Sequence, residues 1–196
     1  PTEEEDEVRH LAYFSKFEPV SVKKYTNISF KYFNGLEKSG RGLLEVSFNL
    51  NDAKFTLFNL HLKSMWTERS DDPLAKIRRE KEARSMRDLI REKFPPGSNP
   101  RYLVLGDFND NKNSAPLSRF LSVNKTILTN VVPCVDSRGH KWTHYFKKQD
   151  SYSRIDYLLT SPAMFSRFVP NSGWIMDDER SDIASDHRLI YADFTF

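Results

Sequence analysis

Arg101-Tyr-Leu-Val-Leu-Gly-Asp-Phe-Asn-Asp110 decides how this chain reads. An apolar run of strand type ends at Gly106, and a carboxylate and a carboxamide follow at once. A strand buried on both faces appears in sequence as such a continuous run, and in layered α/β folds the side chains just past its carboxyl end face the crevice where ligands bind. Asp107 can accept a proton or bind a hard cation, and Asn109 can hold a water or a phosphoryl oxygen. Taken alone, the stretch is equally a strand followed by an Asx turn. The flanking chain has to decide.

Upstream, Arg41–Phe48 and Lys54–His61 are two apolar runs joined by the turn-rich Asn49-Leu-Asn-Asp52, which predicts a hairpin. Asp71-Asp72-Pro73 opens a helix that Pro95-Pro96-Gly97 closes, with Ala83, Met86, Ile90 and Phe94 forming its apolar stripe. Its many Arg, Lys and Glu residues read as a solvated face rich in intrahelical pairs. Leu11–Phe17 and Val20–Tyr25 read as short strands around Pro19. Downstream, Ser114–Leu121 reads as a short helix, and Lys141–Phe146, Ser153–Leu159, Trp174–Met176 and Leu189–Phe196 as strands. Strands outnumber helices, so sheets packed face to face with helices outside are expected.

The 196 residues suit a single domain, 1–196, with an acidic tail over residues 1–8. Thirty basic against 27 acidic residues leave a formal charge of only +3, so any nucleic-acid surface must come from local asymmetry. One cysteine, Cys134, excludes an internal disulfide framework and a multi-cysteine zinc site and reads as buried filler. No apolar run reaches membrane-spanning length, and the first residues carry no charged-then-apolar leader pattern.

Polar residues at strand ends carry the chemistry. Asn59 and His61 share one face of an apolar strand. Asp156 lies between Ile155 and Tyr157, where an unpaired charge would be costly, with neighbouring Arg154 as one available partner. Ser185-Asp186-His187 immediately precedes the last run. Carboxylates with Asn and His suit oxygen-seeking Mg²⁺ or Mn²⁺ better than zinc, and no nucleophilic triad or phosphate-cradling glycine loop competes.

Asn-Leu-His-Leu at 59–62, Gly-Asp-Phe-Asn at 106–109, Arg-Ile-Asp-Tyr at 154–157 and Ser-Asp-His at 185–187 occur in an order that resembles the endonuclease/exonuclease/phosphatase superfamily, the deoxyribonuclease I-like group. The resemblance implies an α+β, four-layer α/β/β/α sandwich and metal-dependent attack of water on a phosphoester, more readily a phosphodiester than a monoester. It implies that Asp107 positions or deprotonates the water, that Asn109 orients it, and that His187, oriented by Asp156, contacts the phosphate. His61 would bind a phosphoryl oxygen or assist the leaving group. Arg41 and Asn59 would lie at the substrate, and Asp186 would bind Mg²⁺ or Mn²⁺.

The family's principal metal ligand, a Glu in a Gln-Glu pair after an early strand, has no counterpart here, which leads to the expectation that the chain is the carboxyl-terminal portion of a longer domain lacking its amino-terminal strands. The substrate expected is a phosphoester, with nucleic acid favoured by the basic helix and by Trp66 and Trp142; sphingomyelin and inositol phosphates are alternatives. A monomer is expected. The competing reading is a phosphate- or nucleic-acid-binding module that kept the fold and lost the metal-ligand Glu.

Overall fold

In a computed structural model, which describes residues 9–196, the hairpin predicted around Asn49–Asp52 is the centre of the largest sheet. Strands β2 (Leu43–Leu50) and β3 (Ala53–His61) turn at Asn51 and Asp52, both in the left-handed region that a two-residue hairpin turn requires. Strand β1 (Ser21–Tyr25) pairs antiparallel with β2 on one side. On the other side β3 runs parallel to β4 (Tyr102–Asp107). After β5 (Asn130–Val131), β6 (Asp156–Thr160) returns antiparallel to β4, giving the order β1-β2-β3-β4-β6-β5.

The parallel β3–β4 pair needs a crossover, and helix α1 (Lys76–Lys93) supplies it. The Asp72 carboxylate accepts the amide N–H of Ile77 at 2.8 Å and of Arg78 at 2.9 Å, satisfying donors that the first turn leaves open. Helix α2 (Ala115–Leu121) packs beside it, with Pro116 in its first turn. Ala83, Met86 and Ile90 of α1 and Leu117 and Phe120 of α2 meet Phe58, Leu60, Val104 and Leu159 in the main core.

The opposite face of the sheet carries two smaller apolar clusters, one around Leu44, Val46 and Phe48 and one around Val132, Cys134 and Ile175. The latter packs beneath a two-stranded sheet of β7 (Trp174–Ile175) and β8 (Ile190–Tyr191). The result is a mixed α/β fold with a large central sheet. Cys134 is buried there, and burial raises its thiol pKa, as suits a packing residue.

Several expectations are corrected. Leu11–Phe17 forms no strand: Leu11 packs on the Leu44 cluster, whereas Phe14 is fully exposed, and no neighbouring strand offers a ladder. The run Ser153–Leu159 breaks in two, Ser151–Ser153 pairing with His144–Phe146 and Asp156 entering the large sheet. Only Ile190–Tyr191 of the last run is strand. The polar face of α1 is not all solvated: Arg79, Glu82 and Arg87 are buried, Arg79 being 1% and Glu82 2% exposed. The acidic tail expected over residues 1–8 lies outside the described residues.

Candidate active site

Strand register assembles the centre. His61, the last residue of β3, is the lateral partner of Asp107, the last of β4, and Asp107 is in turn the partner of Asp156, the first of β6. Lateral partners project to one face, so three strands deliver an imidazole between them and two carboxylates side by side. His61 Nε2 lies 3.3 Å from Asp107 Oδ2. His187 comes from the segment before β8, and its Nδ1 lies 3.0 Å from Asp156 Oδ2. Arg154, the partner suggested by sequence proximity, turns instead toward the carbonyls of Cys134 and Val132 and the ring of Tyr157.

Gly106 makes the approach of β3 and β4 possible. Its φ of 130° lies in a region open mainly to glycine, and a Cβ there would stand 1.9 Å from the Leu60 carbonyl oxygen. Asn109 then takes φ of 51°, which asparagine tolerates, and folds back on the strand end. Its amide N–H donates to Asp107 Oδ1 at 2.7 Å. Its side-chain nitrogen donates to Asp107 Oδ2 and to the Leu62 carbonyl, both at 3.0 Å. With both amide protons directed at protein acceptors, Asn109 here braces Asp107, and its Oδ1 is the atom left to meet a ligand.

The environment tunes the groups apart. Burial, then the neighbouring Asp156 charge, raises the Asp107 pKa to about 6. Burial, then the positive Arg41 and His187, lowers that of His61 to about 4. Hydrogen bonding to Asp156 raises that of His187 against the opposing effect of burial. At neutral pH the centre therefore holds a buried base, a neutral imidazole and a carboxylate-supported imidazole.

These groups line a cleft of about 690 Å³ together with Arg41, Lys63, Trp66 and Arg78. Of the predicted substrate residues, Arg41 lies in the cleft and donates to the Leu62 carbonyl at 3.2 Å. Asn59 does not line it: two residues back along β3, its side chain donates to the Ala12 carbonyl at 3.0 Å. Asp186 is at the rim, its side chain 72% exposed and 3.7 Å from His144 Nε2.

Two sets of side chains bring ligand atoms within 4.8 Å of one another: Asp107, Asp156 and His187, and His144, Asp186 and His187. Two clustered carboxylates, one of them raised in pKa by burial and then by the charge of the other, are the chemistry a divalent cation relieves, and the open cleft leaves coordination positions for water and phosphate oxygens. The residues thus fit an incompletely enclosed Mg²⁺ or Mn²⁺ site. Neither set contains a glutamate among the described residues.

Sequence reasoning missed His144, Lys63 and the buried pair Arg79 and Glu82. For the pair a signal existed: positions 79 and 82 each stand four residues before Ala83 and Met86 respectively, on the same helical stripe.

No curated protein sequence matches the chain. Solved structures do, at low identity. The catalytic domain of human Nocturnin with bound sulfate aligns at TM-score 0.63 and 15% identity, over 91% of this chain and 60% of that one. The mannosyl-6-phosphatase Bt3783 of Bacteroides thetaiotaomicron aligns at 0.58 and 19%, over 91% and 67%. A Staphylococcus aureus beta toxin mutant with bound magnesium ions aligns at 0.50 and 17%, over 80% and 55%. The chain thus spans from 55% to 67% of these relatives' lengths. A sequence profile matches residues 11–187, and by it the chain belongs to the Endonuclease/Exonuclease/phosphatase family, whose members are hydrolases of phosphoester bonds.

Proposed function

We propose that this chain is a divalent-metal-dependent phosphodiesterase acting through an activated water. The observation that carries the reading is the lateral triplet His61, Asp107 and Asp156, closed by His187 on Asp156. Asp107, raised toward neutrality and braced by Asn109, accepts a proton from the attacking water. His187 keeps its Nδ1 proton on Asp156, which leaves Nε2 to face a phosphoryl oxygen. His61, neutral at pH 7, places its ring beside Asp107 and supports the charge that develops on the phosphoryl group or leaving oxygen. Asp107 and Asp156, the carboxylates of one ligand set, would hold Mg²⁺ or Mn²⁺, with Asp186 of the second set at the rim, and the ion would supply charge neutralisation at the phosphoryl oxygens. Among the relatives, the beta toxin mutant with bound magnesium supports the choice of metal.

Hydrolysis of bis(p-nitrophenyl) phosphate, with p-nitrophenyl phosphate as the monoester control, tests the proposal. Mg²⁺-dependent turnover is expected on the diester, with Asp107→Asn and His187→Ala each lower by at least about a hundredfold. A His187→Ala rate near wild type would overturn the mechanism. A second reading, a phosphate-binding module without turnover, draws on the lack of a glutamate in either ligand set among the described residues. Phosphate binding with no metal-dependent hydrolysis would favour it.

A further inference from the structure

Beyond the reacting centre, the cleft is built around Lys63. Its amide N–H donates to Glu82 Oε2 at 2.8 Å, and its carbonyl accepts from Arg79 Nη1 at 3.1 Å. Both partners come from successive turns of α1 and both are buried. Each reaches further. Glu82 Oε1 accepts the Ser39 hydroxyl at 2.7 Å, and Ser39 Oγ in turn accepts the Gly42 N–H at 3.1 Å, fixing the loop that carries Arg41. Arg79 donates to Asp110 at 2.9 and 3.1 Å, fixing the loop that carries Asn109. Burying two charges is costly unless their hydrogen bonds are met, and here those bonds converge on the backbone of one residue at the cleft wall.

The side chain so held is a cation whose contacts are neutral. Lys63 Nζ meets the Ser64 carbonyl at 3.4 Å and hydroxyl at 3.3 Å, the Trp66 carbonyl, and the Trp66 ring at 5.6 Å. Burial first, then the positive Arg78 and Arg41, lowers its pKa, against the opposing charge of Glu82. Glu82, which itself lines the cleft, is committed to Ser39 and the Lys63 backbone. The ring of Trp66 is open, the residue being 70% exposed. Lys63 lies two residues beyond His61 and lines the same cleft as His61, Asp107 and His187.

We propose that Lys63, beside Arg78 and Trp66, is a specificity subsite for a second phosphate of the substrate, adjacent to the phosphodiester at Asp107, with Trp66 stacking a base. The preferred substrate is then a short single-stranded oligonucleotide. A cationic headgroup next to the reacting phosphate would be repelled by the same wall. The subsite rests on the phosphodiesterase reading for its orientation, but its anion preference can be measured without turnover.

The test is calorimetric binding, in Mg²⁺, of a phosphorothioate-linked dithymidine bearing an extra phosphate at its 5′ end, at its 3′ end, or at neither. One phosphorylated form is expected to bind wild type at least about tenfold more tightly than the unphosphorylated one, the scale of one charge-assisted hydrogen bond. Lys63→Ala should reduce that ratio to within about twofold, and Lys63→Arg should keep most of it, with folding of both checked by circular dichroism. Equal binding of all three ligands by wild type, no binding of any, or an undiminished ratio in Lys63→Ala overturns the subsite. A tenfold ratio with no hydrolysis of the matching phosphodiester supports the subsite while removing the phosphodiesterase reading; hydrolysis with equal binding does the reverse.

Discussion

Asp107 and His61 face each other at 3.3 Å with opposite pKa displacements, and this predicts a pH signature that neither residue gives alone. An unfolded aspartate titrates near 3.9 and an unfolded histidine near 6.5. With Asp107 raised to about 6, the native state binds more protons than the unfolded state between roughly pH 4 and 6, so this residue lowers stability as pH rises through that window. With His61 lowered to about 4, the native state binds fewer protons up to roughly pH 6.5, so this residue raises stability over nearly the same window. The two slopes oppose each other. Relative to wild type, the urea midpoint of the metal-free chain should climb with pH from about 4 to 6 in Asp107→Asn and fall in His61→Gln. Parallel pH profiles for the three proteins would remove the assignment.

At the scale of elements, α1 positions the site because of how it starts and which face it buries. Asp72 caps two amides and also accepts the Tyr32 hydroxyl at 2.9 Å, tying the helix start to the Ser29–Lys38 hairpin. Asp72→Ala should cost about 2 kcal/mol in urea unfolding, at the upper end for a lost cap because a buried hydroxyl also loses its acceptor. A change below about 0.5 kcal/mol would show that water replaces the cap. In β4, Gly106→Ala should separate β3 from β4 at the reacting end and suppress turnover far more than it unfolds the sheet, since only the last register positions must open. Full turnover in that variant would deny the close approach any role.

The same elements show where sequence speaks and where it stops. β4 and β3 are legible because a buried strand and a period-two polar pair leave patterns in a single segment. The stripe spacing of Arg79 and Glu82 marks them as inward-facing, but their partners are not legible, because a charged helix looks alike whether those partners are water or the distant Ser39, Lys63 and Asp110. Leu11–Phe17 has the composition of a strand, but a strand also needs a neighbour, and no local pattern records one. Asp156 was legible as a buried carboxylate in need of a partner, whereas the choice of His187 over Arg154 depends on the chain turning back from residue 187.

For the whole molecule, the two faces of the large sheet are covered unequally. The helical face holds the main core, while on the other Leu57, Leu105 and Leu158 are only half-buried; outside the large sheet, Leu189, Tyr191, Phe14 and Phe17 are exposed. No helix among the described residues is long and apolar enough to cross a membrane. The folded chain should therefore enhance the fluorescence of anilinonaphthalene sulfonate under native conditions, and no enhancement would mean that these side chains are covered in solution.

The lateral triplet has a consequence for tolerance to change. The gap between His61, Asp107 and Asp156 is set by the interstrand hydrogen bond, about 4.8 Å, and not by any loop, so the sheet serves the site as a ruler. Insertions in the connecting loops can accumulate without altering that spacing. A slip of one residue in β4, by contrast, would turn Asp107 to the opposite face and bring Gly106 or Phe108 to its place, so the centre is only as durable as the register of three strands.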